Sequence, residues 1–158
     1  MKCGLKEFET VYNLLTSKER VGTITDDNSP GMYDITKFLL TSPSVIVLMP
    51  SNGTMFVFTS INSITYEAHL TTTQSDKKNV YTHTHEVAKW MQANTKAEVI
   101  ISNIPEIYSS TLVYSKNIGM ERMGVIPKGY IKNGDRIDII IVGAPLAEII
   151  RRTSWHQQ

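Results

Sequence analysis

Cysteine is all but missing from this chain of 158 residues. Cys3 is the single thiol, so an internal disulfide and a cysteine-built structural zinc site are both excluded. Charge of one sign is also lacking. Sixteen basic residues face fifteen acidic ones, a net of +1, which excludes a strongly basic nucleic-acid module and leaves room only for a local patch. No apolar run approaches membrane length, the most apolar stretch being Ile139 to Leu146. The opening residues, Met1-Lys2-Cys3-Gly4-Leu5-Lys6-Glu7, are charged where a secretory leader needs an unbroken apolar run, so a cytoplasmic setting is expected. What remains is ordinary globular composition, 41% hydrophobic and 20% charged, at a length suited to one domain over 1–158.

Hydrophobic spacing sets the order of elements. Leu5, Phe8, Val11, Tyr12 and Leu15 predict a short amphipathic helix, and Tyr33, Ile35, Phe38 and Leu39 a second one after Ser29-Pro30-Gly31. Ser44 to Met49, Met55 to Thr59 and Ser63 to Leu70 read as three strands, with Asn52-Gly53 as a hairpin turn. A helix over 82–94 follows, capped by Thr82 or Thr84 and turning Val87, Ala88, Trp90 and Met91 inward. Ala97 to Ile101 is a strand. Asn103 then caps a helix with Pro105 and Glu106 in its first turn and Ile107, Thr111, Tyr114 and Ile118 on one stripe, ended by Gly119. Met120 to Ile126 and Arg136 to Val142 are the last strands, joined through Asn133-Gly134, with Pro127-Lys128-Gly129 bending the first. The pattern ααβββαβαββ predicts an α/β (α+β) fold: one mixed, twisted sheet, strand 66–70 central, helices on both faces. Residues from about 147 to 158, with Arg151, Arg152, Trp155 and His156, form a candidate C-terminal tail.

This order, with Lys116-Asn117-Ile118-Gly119-Met120-Glu121-Arg122-Met123-Gly124 and Asn133-Gly134-Asp135-Arg136-Ile137-Asp138, resembles the GNAT superfamily of N-acetyltransferases. Gly119-Met120 stands where that family carries Gly-Phe. Tyr66-Glu67-Ala68-His69, a loop without glycine, and Trp90-Met91 followed by Ile104-Pro105 resemble small GNAT-like proteins of tailed phages, some of them head-assembly proteins. The resemblance implies acetyl-coenzyme A as cofactor, held by a loop of the form Arg/Gln-x-x-Gly-x-Gly/Ala at a helix start, where backbone N–H groups cradle the pyrophosphate. The matching stretch here runs from about Asp76 through Lys77, Lys78, Asn79, Val80, Tyr81 and Thr82 and contains no glycine.

Glu67 is the candidate general base. It shares one strand face with Thr65 and His69, an arrangement that serves either proton transfer or local hydrogen bonding on a polar face. The family's general-acid tyrosine aligns with Ser115, with Tyr114 one residue earlier, and its asparagine and alanine fall on Tyr108 and Thr111. His83 and His85 point apart on a helix and are expected to be exposed. No metal is expected, because Glu67 and His69 are two ligands at most. The loops 26–32 and 128–133 are the candidate acceptor pocket. Two functions follow. In the first, the departures from the motif leave a non-catalytic assembly factor that works through a protein partner or self-association. In the second, the chain is an active N-acyltransferase with an amine acceptor.

Overall fold

The computed structural model describes residues 1–18, 20 and 25–157. Two short helices come first, α1 (Phe8–Leu15) and α2 (Met32–Thr41). Three strands follow: β1 (Val45–Ser51), β2 (Thr54–Ser60) and β3 (Thr65–Thr72). Helix α3 (Val80–Asn94), strand β4 (Val99–Pro105) and helix α4 (Ser109–Asn117) lead to the hairpin β5 (Glu121–Lys132) and β6 (Asp135–Pro145), and helix α5 (Leu146–Thr153) closes the chain. The six strands form one sheet in the order β1-β2-β3-β4-β6-β5, with β3 and β4 parallel and every other pair antiparallel. The mixed sheet predicted from element order is present, with β3 and β4 at its centre.

Each face carries its own core. Val11, Leu14 and Leu15 of α1 bury against Val45, Val47, Met55 and Val57 on one side, while Met32, Ile35, Leu39 and Leu40 of α2 join from the edge. On the other side Val87, Ala88 and Met91 of α3, Ile118 after α4, and Leu146 and Ile149 of α5 pack on Leu48, Phe56, Ile100, Ile140 and Val142. In α3 the buried positions Val80, Thr84, Val87, Ala88 and Met91 recur at three- and four-residue steps, the period of a helix with one buried stripe. Trp90 is partly buried against that core.

Three expectations about helix ends are corrected. Helix α3 begins at Val80, so Thr82 and Thr84 lie within it and neither caps it. Asn103, Pro105 and Glu106 do not start a helix. The apolar run from Val99 carries the β6 pairing as far as Pro105↔Ile139, and proline is tolerated at a strand end. Helix α4 starts only at Ser109, which leaves Ile107 and Thr111 exposed and off any buried stripe. His83 is not exposed either: its side chain keeps 12% of its surface and bonds to Asp76.

Residues 147–156 dock through α5 and His156. Leu146, Ile149 and Thr153 of α5 are buried, His85 Nδ1 lies 3.0 Å from Thr153 Oγ1, and His156 stacks on Tyr81 with centroids 4.7 Å apart. The β5–β6 turn has positive φ at both Asn133 (53°) and Gly134 (80°), the conformation that a two-residue hairpin requires. Gly119 ends α4 at φ 97°, where any side chain is strained. Gly119→Ala is therefore expected to cost about 1–2 kcal/mol, read as a lower urea midpoint at unchanged slope.

Candidate functional site

Strands β3 and β4 pair over three positions only: Thr65↔Val99, Tyr66↔Ile100 and Glu67↔Ile101. Beyond that point the ladder stops. β3 runs on to Thr72 beside β2, while β4 runs on to Pro105 beside β6. Ser102 Oγ crosses the divergence, donating to the carbonyl of Ala68 at 2.8 Å. The centre of the sheet therefore opens where two parallel strands end their pairing, and main-chain groups there are free of a strand ladder.

Glu67 and His69 stand at the mouth of this divergence. His69 Nε2 donates to Glu67 Oε1 at 2.7 Å, and their side chains retain 25% (Glu67) and 55% (His69) of their surface. The hydrogen bond from His69 holds the Glu67 carboxyl below its usual range, against partial burial that pushes it up, and Asn103 of β4 adds a further hydrogen bond. A short-range strand repeat thus forms the pair that the i, i+2 spacing implied.

Tyr114 and Ser115 are not brought to that pair. Tyr66, Ala68 and Leu70 turn toward the helices, and Tyr114 packs with them, so the sheet separates Tyr114 from Glu67 and His69. The Tyr114 hydroxyl lies 2.6 Å from Thr84 Oγ1, and burial pushes its phenol well above the usual tyrosine range. Ser115 is buried, with Oγ donating to the carbonyl of Leu112 at 2.8 Å. It lines a cleft of about 900 Å³ with Leu112, Lys116, Met120, Arg122 and Val142. Neither that cleft nor a smaller one of about 320 Å³ beside Tyr66 includes Glu67 or His69, which stand on open sheet surface.

The six loop residues divide. Lys77, Lys78 and Asn79 are exposed and form one 3-10 turn, in which Asn79 N–H donates to the carbonyl of Asp76 at 2.9 Å. Val80 is buried. The Tyr81 hydroxyl accepts from Asn117 at 2.9 Å, and Thr82 Oγ1 donates to the carbonyl of His156 at 3.0 Å. Laid on Gln74, the pattern Arg/Gln-x-x-Gly-x-Gly/Ala puts Lys77 and Asn79 at the glycine positions.

Asp76, at the head of that stretch, has a role that the sequence did not assign to it. Its carboxylate accepts from Ser51 and Thr54 of the β1–β2 turn, from Asn79 Nδ2 at 2.9 Å and from His83 Nε2 at 3.2 Å. Burial pushes this carboxyl up, and those four donors outweigh it, leaving it far below the usual range. Its carboxylate is held by the hairpin and by Asn79 and His83, while Lys77 and Lys78 are exposed before α3.

The two candidate acceptor loops are joined. Asp27 N–H donates to the carbonyl of Ile131 at 3.1 Å, and the Asp27 carboxylate accepts from Asn133 and Gly134 N–H at 2.8 Å each. Tyr130 OH donates to the carbonyl of Thr25 at 2.9 Å and lies 3.1 Å from Tyr108 OH. Among the described residues no group of three or more His, Cys, Asp or Glu is placed to hold a metal ion, and no helix is long and apolar enough to cross a membrane.

No family model and no curated protein matches this sequence. Solved structures do match it in shape. An N-acetyltransferase from Staphylococcus aureus Mu50 superposes with a TM-score of 0.73 at 14% identity, over 93% of this chain and 96% of that one. A spermidine N-acetyltransferase from Vibrio cholerae, in complex with CoA and spermine, gives 0.76 at 9% identity, over 95% and 96%. An acetyltransferase of the GNAT family from Streptococcus pneumoniae gives 0.67 at 15% identity, over 92% and 97%. The fold is that of the GNAT acetyltransferases.

Proposed function

We propose that this protein is an N-acyltransferase that moves an acetyl group from acetyl-coenzyme A to an amine. The observation that carries this reading is the opened β3–β4 ladder with an ionised Glu67, paired to His69, at its mouth. The likeness to acetyltransferase structures, one of them holding CoA, supports the same reading over an assembly role.

The start of α3 fits the coenzyme's pyrophosphate by charge. Lys77 and Lys78 project from the turn at the positive end of a 15-residue helix, and Asp76 is withdrawn into its own donors. With side chains at Lys77 and Asn79, backbone approach is less intimate than at glycine, so charge replaces part of the main-chain cradle. Bound there, the coenzyme supplies an acetyl group activated as a thioester. The chain's own residues supply the rest. Glu67 draws in the substrate ammonium and accepts its proton, while His69, donating from Nε2, holds the carboxylate in place, and Glu67, a quarter exposed, releases the proton to solvent. Glu67 and the divergence lie side by side, so the amine is positioned where the acyl group arrives.

Calorimetric titration with acetyl-coenzyme A tests the reading. Binding is expected with a dissociation constant above about 1 μM, weakened about tenfold by the double change Lys77→Ala and Lys78→Ala. Absence of any binding heat at millimolar coenzyme overturns the reading. Tight binding untouched by both substitutions moves the coenzyme away from this turn.

A further inference from the structure

The sheet face that carries Glu67 is covered unevenly. Over β1 and β2 it lies beneath α1 and α2, but Ile101, Ile139 and Ile141 belong to neither core and are only half-buried. Beside them Met123 keeps 64% and Ile126 42% of their surface. These five apolar side chains form one patch. A Cβ placed on Gly143 would meet Met123 Sδ at 2.5 Å and Ile101 Cγ2 at 3.2 Å, and one placed on Gly129 would meet Ile126 Cγ2 at 2.7 Å and Ile139 Cδ1 at 3.0 Å. The glycines keep the floor low enough for side chains to lie flat across it.

Register ties this patch to the candidate base. Glu67 pairs Ile101, and Ile101 pairs Gly143, so the apolar floor begins one strand away from the carboxylate. Met123 belongs to β5, three strands from β3, but its sulfur reaches back over Gly143 of β6, roughly two strand spacings, about 10 Å, from Glu67. The aspartates at the far rim are already held. Asp27 accepts from Asn133 and Gly134, and Asp26 Oδ1 accepts from Asn28 N–H at 2.9 Å and Ser29 Oγ at 3.0 Å. The ionised Glu67 therefore stands at one end of an apolar track, and the exposed Glu121, opposite Gly143 on β5, is the carboxylate beside Met123 at the other.

From this juxtaposition we infer that the acceptor is a primary amine with an extended aliphatic body: its ammonium meets Glu67, and its hydrocarbon lies on Ile101, Ile141, Ile139 and Met123. A polyamine is disfavoured, because its inner ammonium would be stripped of water over isoleucine, short of the exposed Glu121 opposite Gly143. The inference rests on the transferase reading, and its test separates the two.

Acetyl transfer is followed as thiol release with propylamine, butylamine, hexylamine and spermidine. In parallel, hexylamine is titrated against protein carrying ¹³C-methyl methionine, with the Met123 signal identified by its loss in Met123→Leu. A rise in kcat/KM of about threefold to fourfold per methylene, roughly thirtyfold to sixtyfold from propylamine to hexylamine, is expected, together with a saturable Met123 shift. The rise should collapse in Met123→Glu. A flat series, or a preference for spermidine, overturns the aliphatic acceptor and leaves the transferase standing. If no amine releases thiol, the transferase reading fails, and the methyl titration alone decides whether the track binds an alkylamine. A Met123 signal that responds to protein concentration and not to hexylamine makes the face a contact between copies and overturns the proposal.

Discussion

Glu67→Gln is expected to lower turnover by about 10²- to 10⁴-fold while leaving acetyl-coenzyme A affinity unchanged, as removal of a positioned general base does. Glutamine keeps the size of the side chain and can still meet His69, so the loss reports charge and basicity. Steady-state thiol release gives turnover, and calorimetry gives coenzyme affinity. The pH dependence carries the sign. The carboxyl of Glu67 sits below its ordinary range because His69 donates to it, so its negative charge persists at neutral pH and disappears only as pH falls through that lowered value. Affinity for a protonated amine should therefore hold through mildly acidic pH and fail below the normal glutamate range. In His69→Ala the loss should begin at higher pH. Unchanged turnover in both variants removes the pair from the chemistry.

Asp76→Ala is expected to destabilise the fold by about 2–4 kcal/mol, a fall of roughly 5–15 °C in Tm for a domain of this size. Ser51, Thr54, Asn79 and His83 all converge on this carboxylate, whose side chain is 14% exposed. Truncation leaves four donors without their acceptor and detaches the β1–β2 turn from the start of α3. The buried Nδ1 of His83 has no hydrogen-bond partner, Glu86 standing 3.9 Å off, so that ring depends on Asp76 for its close hydrogen bond. Asp76→Asn should recover little, since its amide group would face donors. The carboxyl is depressed in the folded state, so its contribution is complete above the unfolded aspartate value near 4 and is lost as pH falls from there toward the folded value. Chemical denaturation at pH 7 and pH 3 checks this: the gap between wild type and Asp76→Ala should narrow at the lower pH. An equal gap at both would show that Asp76 acts by packing and not by charge.

By itself the sequence determined what depends on neighbours along the chain. Alternation put Glu67 and His69 on one face of one strand, because side chains two apart on a strand must share a side. Asn133-Gly134 and Gly119 marked a turn and a helix end that use positive φ, Asn52-Gly53 marked a turn made without it, and the apolar spacings from Leu5 to Leu15, from Tyr33 to Leu39 and over 82–94 marked helices. Helix starts were less legible. Asn103, Pro105 and Glu106 carry the chemistry of a helix start, yet pairing with β6 held the chain extended through Pro105, a contact some thirty-five residues distant. Tertiary structure alone decided the rest. Asp76 gains its meaning only when Ser51 and Thr54 arrive from another hairpin, and His83 is drawn inward by the same carboxylate. Tyr114 is turned to Thr84 and buried on the far side of the sheet from Glu67. The site, too, is a product of packing: two strands distant in sequence pair for three residues and part, and a local pattern records neither the pairing nor where it ends.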